Sequence, residues 1–235
     1  MNLILLFPSD IVPETSRAVL TGRRQAHVFE VHRAAVGDVL IVGMENGRVG
    51  EGRITRLTAA ELEMDVKFLS DPPPKIPVVL CVALMRPPVF KRVLQTAATM
   101  GVESIHVFHS RRVEKSFWQS AATKEVSIRE QLVLGLEQAR DTVLPPVFLH
   151  PRFKPFAETV LPVLLKGRQG IAADPSGRAV QFSTPIPKVL VIGPEGGFIS
   201  HEIDRFRAAG CAVVGLGQRI LRVETAVTSF LARLT

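Results

Sequence analysis

The 235-residue chain has no tyrosine, a single tryptophan at Trp118, and only two cysteines, Cys81 and Cys211. So few flat rings argue against a surface that stacks base after base on an aromatic platform. Both cysteines sit in apolar, strand-like runs, which reads as small buried hydrophobes in a reduced, cytoplasmic setting rather than a disulfide framework. No apolar run approaches the roughly 18 residues of a membrane span. The opening MNLILLFPSD lacks a basic n-region and a small-residue cleavage site, so it reads as a first strand rather than a signal peptide. Two nucleotide motifs are also missing. No lysine follows Gly197 as a P-loop requires, and GLGQRI at Gly215–Ile220 lacks the third glycine of a dinucleotide fingerprint.

What is present is positive charge. Lysine and arginine number 29 against 22 acids, a formal charge of +7 with a pI near 10.0. That balance favours a polyanionic partner, RNA or DNA first, bound through arginine and lysine on phosphate.

Two halves differ in pattern. Residues 1 to about 70 read as β: GDVLIVGMENGRVGEGRITRL places short apolar runs around Asn46-Gly47, a hairpin dipeptide, and ELEMDVKFL alternates behind it. Arg23, Arg24, Arg33, Arg48, Arg53 and Arg56 make this half basic. SDPPPKIP then reads as a stiff linker over 71–77. The second domain, 78–235, alternates. VVLCVAL, SIHVF, PVFLH, GIAA, KVLVIG and AVVGLG read as strands. Phe90, Val93, Leu94, Ala97 and Met100 lie at helical spacing with Gly101 as a cap, Ile128 to Ala139 line a second helix, FAETVLPVLLK is a short one, and VETAVTSFLARL closes the chain. Strands apolar throughout and separated by helices predict an α/β domain with a mostly parallel sheet covered on both faces.

Two stretches carry chemistry. VIGPEGGFISHEID runs from an apolar strand through Gly193-Pro194-Glu195-Gly196-Gly197 into a helix with Ser200 as candidate N-cap. Glu202 and Asp204 fall in its first turn, where they suit the helix dipole and compete with a phosphate. A neutral or cationic ligand fits this loop better. Gly197→Val is expected to crowd it. The second stretch, LGLGQRILRVETAVTSFLA, supplies another glycine-bearing strand end, an apolar Ile220-Leu221 and two arginines. Together the loops offer backbone groups and an apolar wall, which suits an adenine and a ribose better than a triphosphate. A tight strand-to-helix turn with no ligand is the alternative.

The pair of motifs, Gly193-Pro194-Glu195-Gly196-Gly197 followed by Glu202-Ile203, and Leu216-Gly217-x-Arg219-Ile220-Leu221-Arg222-x-Glu224-Thr225-Ala226, resembles the signature of the RsmE-type family. These are 16S ribosomal RNA uridine N3-methyltransferases of the SPOUT superfamily. HVFEVHRAAVGDVL is similar to that family's opening segment. The resemblance implies a C-terminal domain with a trefoil knot, a small N-terminal PUA-like β-barrel over 1–70 that binds RNA, a homodimer, and S-adenosylmethionine as cofactor. By the same resemblance Ile192, Gly193, Glu195, Gly197, Leu216, Gly217, Ile220 and Leu221 bind the cofactor. Uridine N3 carries a proton at neutral pH, so a group must accept it or stabilise the anion. Arg222 and Glu224 are the catalytic candidates, weighed against an ion pair and a helix-end acid. Arg23, Arg24, Arg33, Arg111 and Arg112 are the RNA-binding candidates.

Other residues carry less. His106 and His109 are three apart on a strand and face opposite ways, a poor metal pair, so no metal is expected. His201 reads as solvated, and Asp174-Pro175 sits at a strand end where a pocket wall belongs. The chain also departs from the family pattern. RPPVFKRVLQTAATMG stands where members carry a helix ending in Glu-Leu-Gly. Ala139-Arg140-Asp141 follows Glu137-Gln138 where members carry x-Gly-Arg, and Val223 replaces a threonine. The reading is a dimeric methyltransferase of small-subunit ribosomal RNA without a membrane segment. Two alternatives stay open: a SPOUT enzyme acting on another RNA, and a non-catalytic RNA-binding or ribosome-assembly protein.

Overall fold

The computed structural model describes residues 2–178 and 186–234, which form two compact units. Unit one comprises residues 1–74 and 133–144; unit two comprises 75–132 and 145–235. The break at Pro74 falls within the proline-rich stretch. The return of 133–144 to the first unit has no counterpart in the sequence reading, because a helix that changes partners midway keeps one periodicity throughout.

Unit one contains β1 (Ile4–Leu6), β2 (Arg17–Leu20), α1 (Gly22–His27), β3 (Val39–Met44), β4 (Val49–Leu57) and β5 (Leu62–Ser70). The strands make a curled mixed sheet in the order β1-β3-β4-β5-β2, with β1 parallel to β3 and the rest antiparallel. The hairpin between β3 and β4 turns at Asn46, whose φ of +54° is one that Asn tolerates. Ile4, Leu6, Leu20, Val42, Ile54, Leu62 and Met64 form the core, one from every second position of each strand, as a half-buried pleat demands. The all-β expectation for this half needs correction: α1 continues into a π turn over Val28–His32, and Val28 from that turn is in the core. HVFEVH, apolar at 28, 29 and 31, packs as a helix; six residues are too few for periodicity to decide.

Unit two holds β6 (Ile76–Ala83), α2 (Pro87–Thr99), β7 (Val102–Phe108), α3 (Glu125–Ala139, its last two turns counted with unit one), β8 (Val147–His150), α4 (Phe153–Pro155), α5 (Leu161–Leu164), β9 (Gln169–Arg178), β10 (Lys188–Ile192), α6 (Ser200–Ala208), β11 (Cys211–Val214) and α7 (Val223–Leu234). Its sheet runs β11-β9-β10-β6-β7-β8 and every pair is parallel. β6 and β10 are buried on both faces, which is why they read as unbroken apolar runs. The expected helix over FAETVLPVLLK is two pieces, a π turn over Phe156–Val160 and α5 with Pro162 in its first turn, and α4 leads into them. β9 is longer than GIAA because it bends after Ala173, and Arg178 then pairs with Val214. Phe108, Phe156, Phe198 and Phe206 pack as one aromatic group, with centroids 4.3 to 6.3 Å from Phe108. Both cysteines are buried; burial pushes the Cys211 thiol up to about 12 and raises Cys81 well above its usual range, so both are inert. No helix among the described residues is long and apolar enough to cross a membrane.

Candidate active site

Strands β9, β10 and β11 are parallel, so their carboxyl ends meet at one edge, where open α/β sheets place their ligands. The loops behind β10 and β11 and the bend in β9 enclose a cavity of about 480 Å³. Ile192, Gly193, Glu195, Gly197, Leu216, Gly217, Ile220 and Leu221 all line it, joined by Asp174, Pro175 and Ser176. Arg112 reaches in from the loop after β7.

Local chemistry explains the loop shapes. Gly197 N–H donates to Pro194 O at 2.8 Å and closes a tight turn. Gly197 takes φ +70°, a left-handed conformation that glycine adopts freely. A Cβ there meets nothing nearer than Arg112 Nη1 at 3.9 Å, so the expectation of crowding is corrected: the constraint is in the backbone. Gly217, φ +113°, meets the same requirement in the second loop. Phe198 roots the first loop by packing edge-on against Phe206 at 4.9 Å.

Two glutamates hold this architecture. Arg86 N–H, at the start of α2, donates to Glu195 Oε1 at 3.1 Å, so the glutamate among the glycines ties its loop to a neighbouring helix. Glu202 is buried and accepts three hydrogen bonds: Ser110 Oγ at 3.2 Å, Arg111 N–H at 2.8 Å and Ile199 N–H at 3.0 Å. It therefore pins the loop after β7 to the start of α6. Ile199 is the N-cap residue in place of Ser200, and Glu202 caps from the third helical position. The sequence shows Glu202 as a helix-end acid; nothing in it reveals the grip on Ser110 and Arg111, 92 and 91 residues away.

Arg222 and Glu224 lie outside the first cavity. They line an adjoining hollow of about 400 Å³ with Arg86, Arg92 and Glu195. Glu195, Ile220, Leu221 and Val223 border both spaces, so the two are contiguous. Glu224 Oε1 accepts from Arg92 Nη2 at 3.1 Å. The backbone hydrogen bond at its helix start holds its carboxyl below the usual range; burial opposes it, and Arg92 and Arg222 add to the lowering. A carboxylate so stabilised is a poor proton acceptor. Arg92 was not foreseen; it lies on a helix 132 residues earlier.

The RNA-binding candidates divide. Arg24 forms a two-pronged ion pair with Asp10 at 2.6 and 2.9 Å, donates to Leu5 O, and lies over the Phe7 ring. It serves the interior of unit one. Arg23 pairs with buried Glu137 at 2.9 Å. Arg33 is exposed at φ +51°. Arg111 is exposed, and Arg112 donates to Gly196 O, placing the pair beside the cavity. His106 faces His150 at 3.0 Å, and burial followed by repulsion from His150 lowers it to about 4, so both rings are neutral at pH 7. His201 is exposed, and no group of three or more His, Cys, Asp or Glu among the described residues is placed to hold a metal.

A family model described as RNA methyltransferase domain matches residues 72–235. The ribosomal RNA small subunit methyltransferase E of Treponema pallidum is 25% identical over 232 residues, 96% of this chain and 87% of the relative. Among solved structures, ribosomal RNA small subunit methyltransferase E from Neisseria gonorrhoeae, bound to S-adenosyl methionine, matches with a TM-score of 0.75 at 21% identity over 98% of this chain and 95% of that one. A methyltransferase from Legionella pneumophila in complex with SAM matches with a TM-score of 0.78 at 22% identity over 100% and 97%. The likeness shows a common fold, with an α/β domain carrying a parallel sheet and a barrel-like N-terminal domain.

Proposed function

The chain belongs to the RNA methyltransferase domain family, and from that premise we propose that it methylates N3 of a uridine in small-subunit ribosomal RNA, using S-adenosylmethionine, as a cytoplasmic homodimer. The carrying observation is the cavity behind β10 and β11, in which all eight anticipated residues converge.

The residues present fit that cofactor. Its binding supplies an electrophilic methyl group on a sulfonium. Ile192, Leu216, Ile220 and Leu221 give an apolar wall for an adenine, and the glycine turns bare their backbone N–H and C=O groups to its polar edges. The Glu195 and Asp174 carboxylates at the rim tolerate a cation and disfavour a phosphate. The relatives from Neisseria and Legionella carry this ligand on the same fold.

The adjoining hollow takes the uracil. The N3 proton passes to solvent water, leaving a uracil anion, and N3 would then take the methyl group as the bond from that carbon to the sulfonium sulfur breaks. Arg222 is the group that neutralises that charge, within a wall it shares with Arg86 and Arg92. Glu224, held ionised, orients Arg92 rather than taking the proton.

The test is methyl transfer from isotopically labelled S-adenosylmethionine to small-subunit ribosomal RNA, with nucleosides resolved by mass spectrometry. Label in 3-methyluridine is expected. Label in another nucleoside contradicts the N3 assignment, and no transfer by folded protein favours a non-catalytic RNA binder.

A further inference from the structure

A second cavity, of about 690 Å³, opens beyond the carboxyl ends of β7 and β8. It is lined by His109, Lys115, Trp118 and the run Pro151–Pro155, and none of these is acidic. Trp118, the chain's single tryptophan, and Phe153 are half-buried there. Lys115, Arg152 and Lys154 are exposed, and among the described residues none of them forms an ion pair. Trp118 Nε1–H donates to His109 Nδ1 at 3.0 Å, and since indole nitrogen only donates, the imidazole proton sits on Nε2. The ring is thus a fixed neutral wall with one donor remaining. Burial lowers its affinity for a second proton, and the Lys115 charge adds to this while Glu202 opposes it.

One loop joins this space to the cofactor cavity. His109 and Lys115 line the one and Arg112 the other, while buried Glu202 holds Ser110 and Arg111 between them. A bare anion would not need the aromatic walls, and an apolar peptide would not need three cations in a lining without a carboxylate. A nucleotide needs both: a ring to stack on and cations for the phosphates on either side.

We propose that the cavity formed by Trp118, Phe153, Lys115, Arg152 and Lys154 holds an unpaired nucleotide of the RNA strand whose neighbouring stretch enters the catalytic hollow. The inference rests on the methyltransferase reading, and it gives that reading a route for the strand. The base lies against Trp118 and Phe153, and the flanking phosphates meet the three cations. The shared loop fixes this nucleotide's cavity to the cofactor cavity, which the catalytic hollow adjoins.

Trp118 is its own reporter. The full-length protein is titrated with single-stranded hexauridylate, following Trp118 fluorescence and, in parallel, the anisotropy of a labelled oligonucleotide. Saturable quenching with the same midpoint in both signals is expected. Trp118→Ala is expected to weaken binding about tenfold while Trp118→Phe nearly restores it, since stacking survives on any ring. Replacing Lys115, Arg152 and Lys154 together by alanine is expected to flatten the plot of log K against log salt by about 2, at roughly 0.7 per lost phosphate contact on a single strand. All three side chains are exposed, so that variant folds even if Trp118→Ala does not. Oligonucleotide binding that leaves Trp118 fluorescence and the salt slope of the triple variant unchanged overturns the proposal. So does uridine monophosphate binding as tightly as the hexamer, which would make the occupant a free nucleotide. S-adenosylmethionine titration separates the two readings. Cofactor binding and methyl transfer without a Trp118 response overturn only this inference; a Trp118 response without cofactor binding overturns only the methyltransferase reading.

Discussion

Five arginines of unit one and the cations that follow strand ends in unit two have opposite employment. In the first unit Arg17, Arg23, Arg24, Arg48 and Arg56 each face a carboxylate: Glu63, Glu137, Asp10, Asp71 and Glu61 with Glu63. In the second, Arg111, Lys115, Arg152, Lys154 and Arg219, all in segments that follow strand carboxyl ends, form no ion pair among the described residues. Both sets enter the net charge of +7 equally. A basic composition therefore announces a polyanionic partner without saying where it binds; what locates the surface is which cations lack a partner of their own.

Substitutions can break this contrast. Arg24→Ala should have the largest effect on stability, about 3–5 kcal/mol in denaturant unfolding, because it strands Asp10 as a part-buried charge. RNA affinity of the folded fraction should not change. A stable Arg24→Ala that loses RNA would move Arg24 to the other set. Arg222→Ala should cost about 10²–10³-fold in methyl transfer, the effect of removing one charge-stabilising group, with cofactor affinity and melting temperature intact. Gly197→Val should weaken cofactor binding by about tenfold, since a left-handed φ costs a branched residue about 1–2 kcal/mol. Unchanged affinity would move the pocket elsewhere. The smallest effect is a gain. Arg140, at the position where the related family carries glycine, sits at φ +57°. Arg140→Gly should raise stability by about 0.5 kcal/mol, the relieved strain less the added freedom of the unfolded chain. A loss would show that the Arg140 side chain makes up for its backbone.

Legibility followed the range of the forces involved. The buried strands β6 and β10 and the helix α7 were readable because each is specified by its own run of residues. The lining of the cavity behind β10 and β11 was readable because two local motifs build it. The clamps were not. Glu202 on Ser110 and Arg111, Arg92 on Glu224, and Glu195 on the Arg86 amide each join residues more than 90 positions apart. The helix and π turn over Gly22–His32 were missed because a short amphipathic run fits either period. The Trp118 cavity was hidden for another reason. A scarcity of aromatics argued against stacking, yet one tryptophan and one phenylalanine suffice when two loops bring them together.

The central claim is that the cavity behind β10 and β11 takes S-adenosylmethionine while the hollow beside it does the chemistry. Calorimetric titration of the full-length protein with S-adenosylmethionine tests it most directly. One molecule should bind per chain, Arg222→Ala should bind as tightly as the parent, and Gly197→Val should bind more weakly. No heat of binding from folded parent protein, or loss of binding in Arg222→Ala with Gly197→Val unaffected, would contradict it.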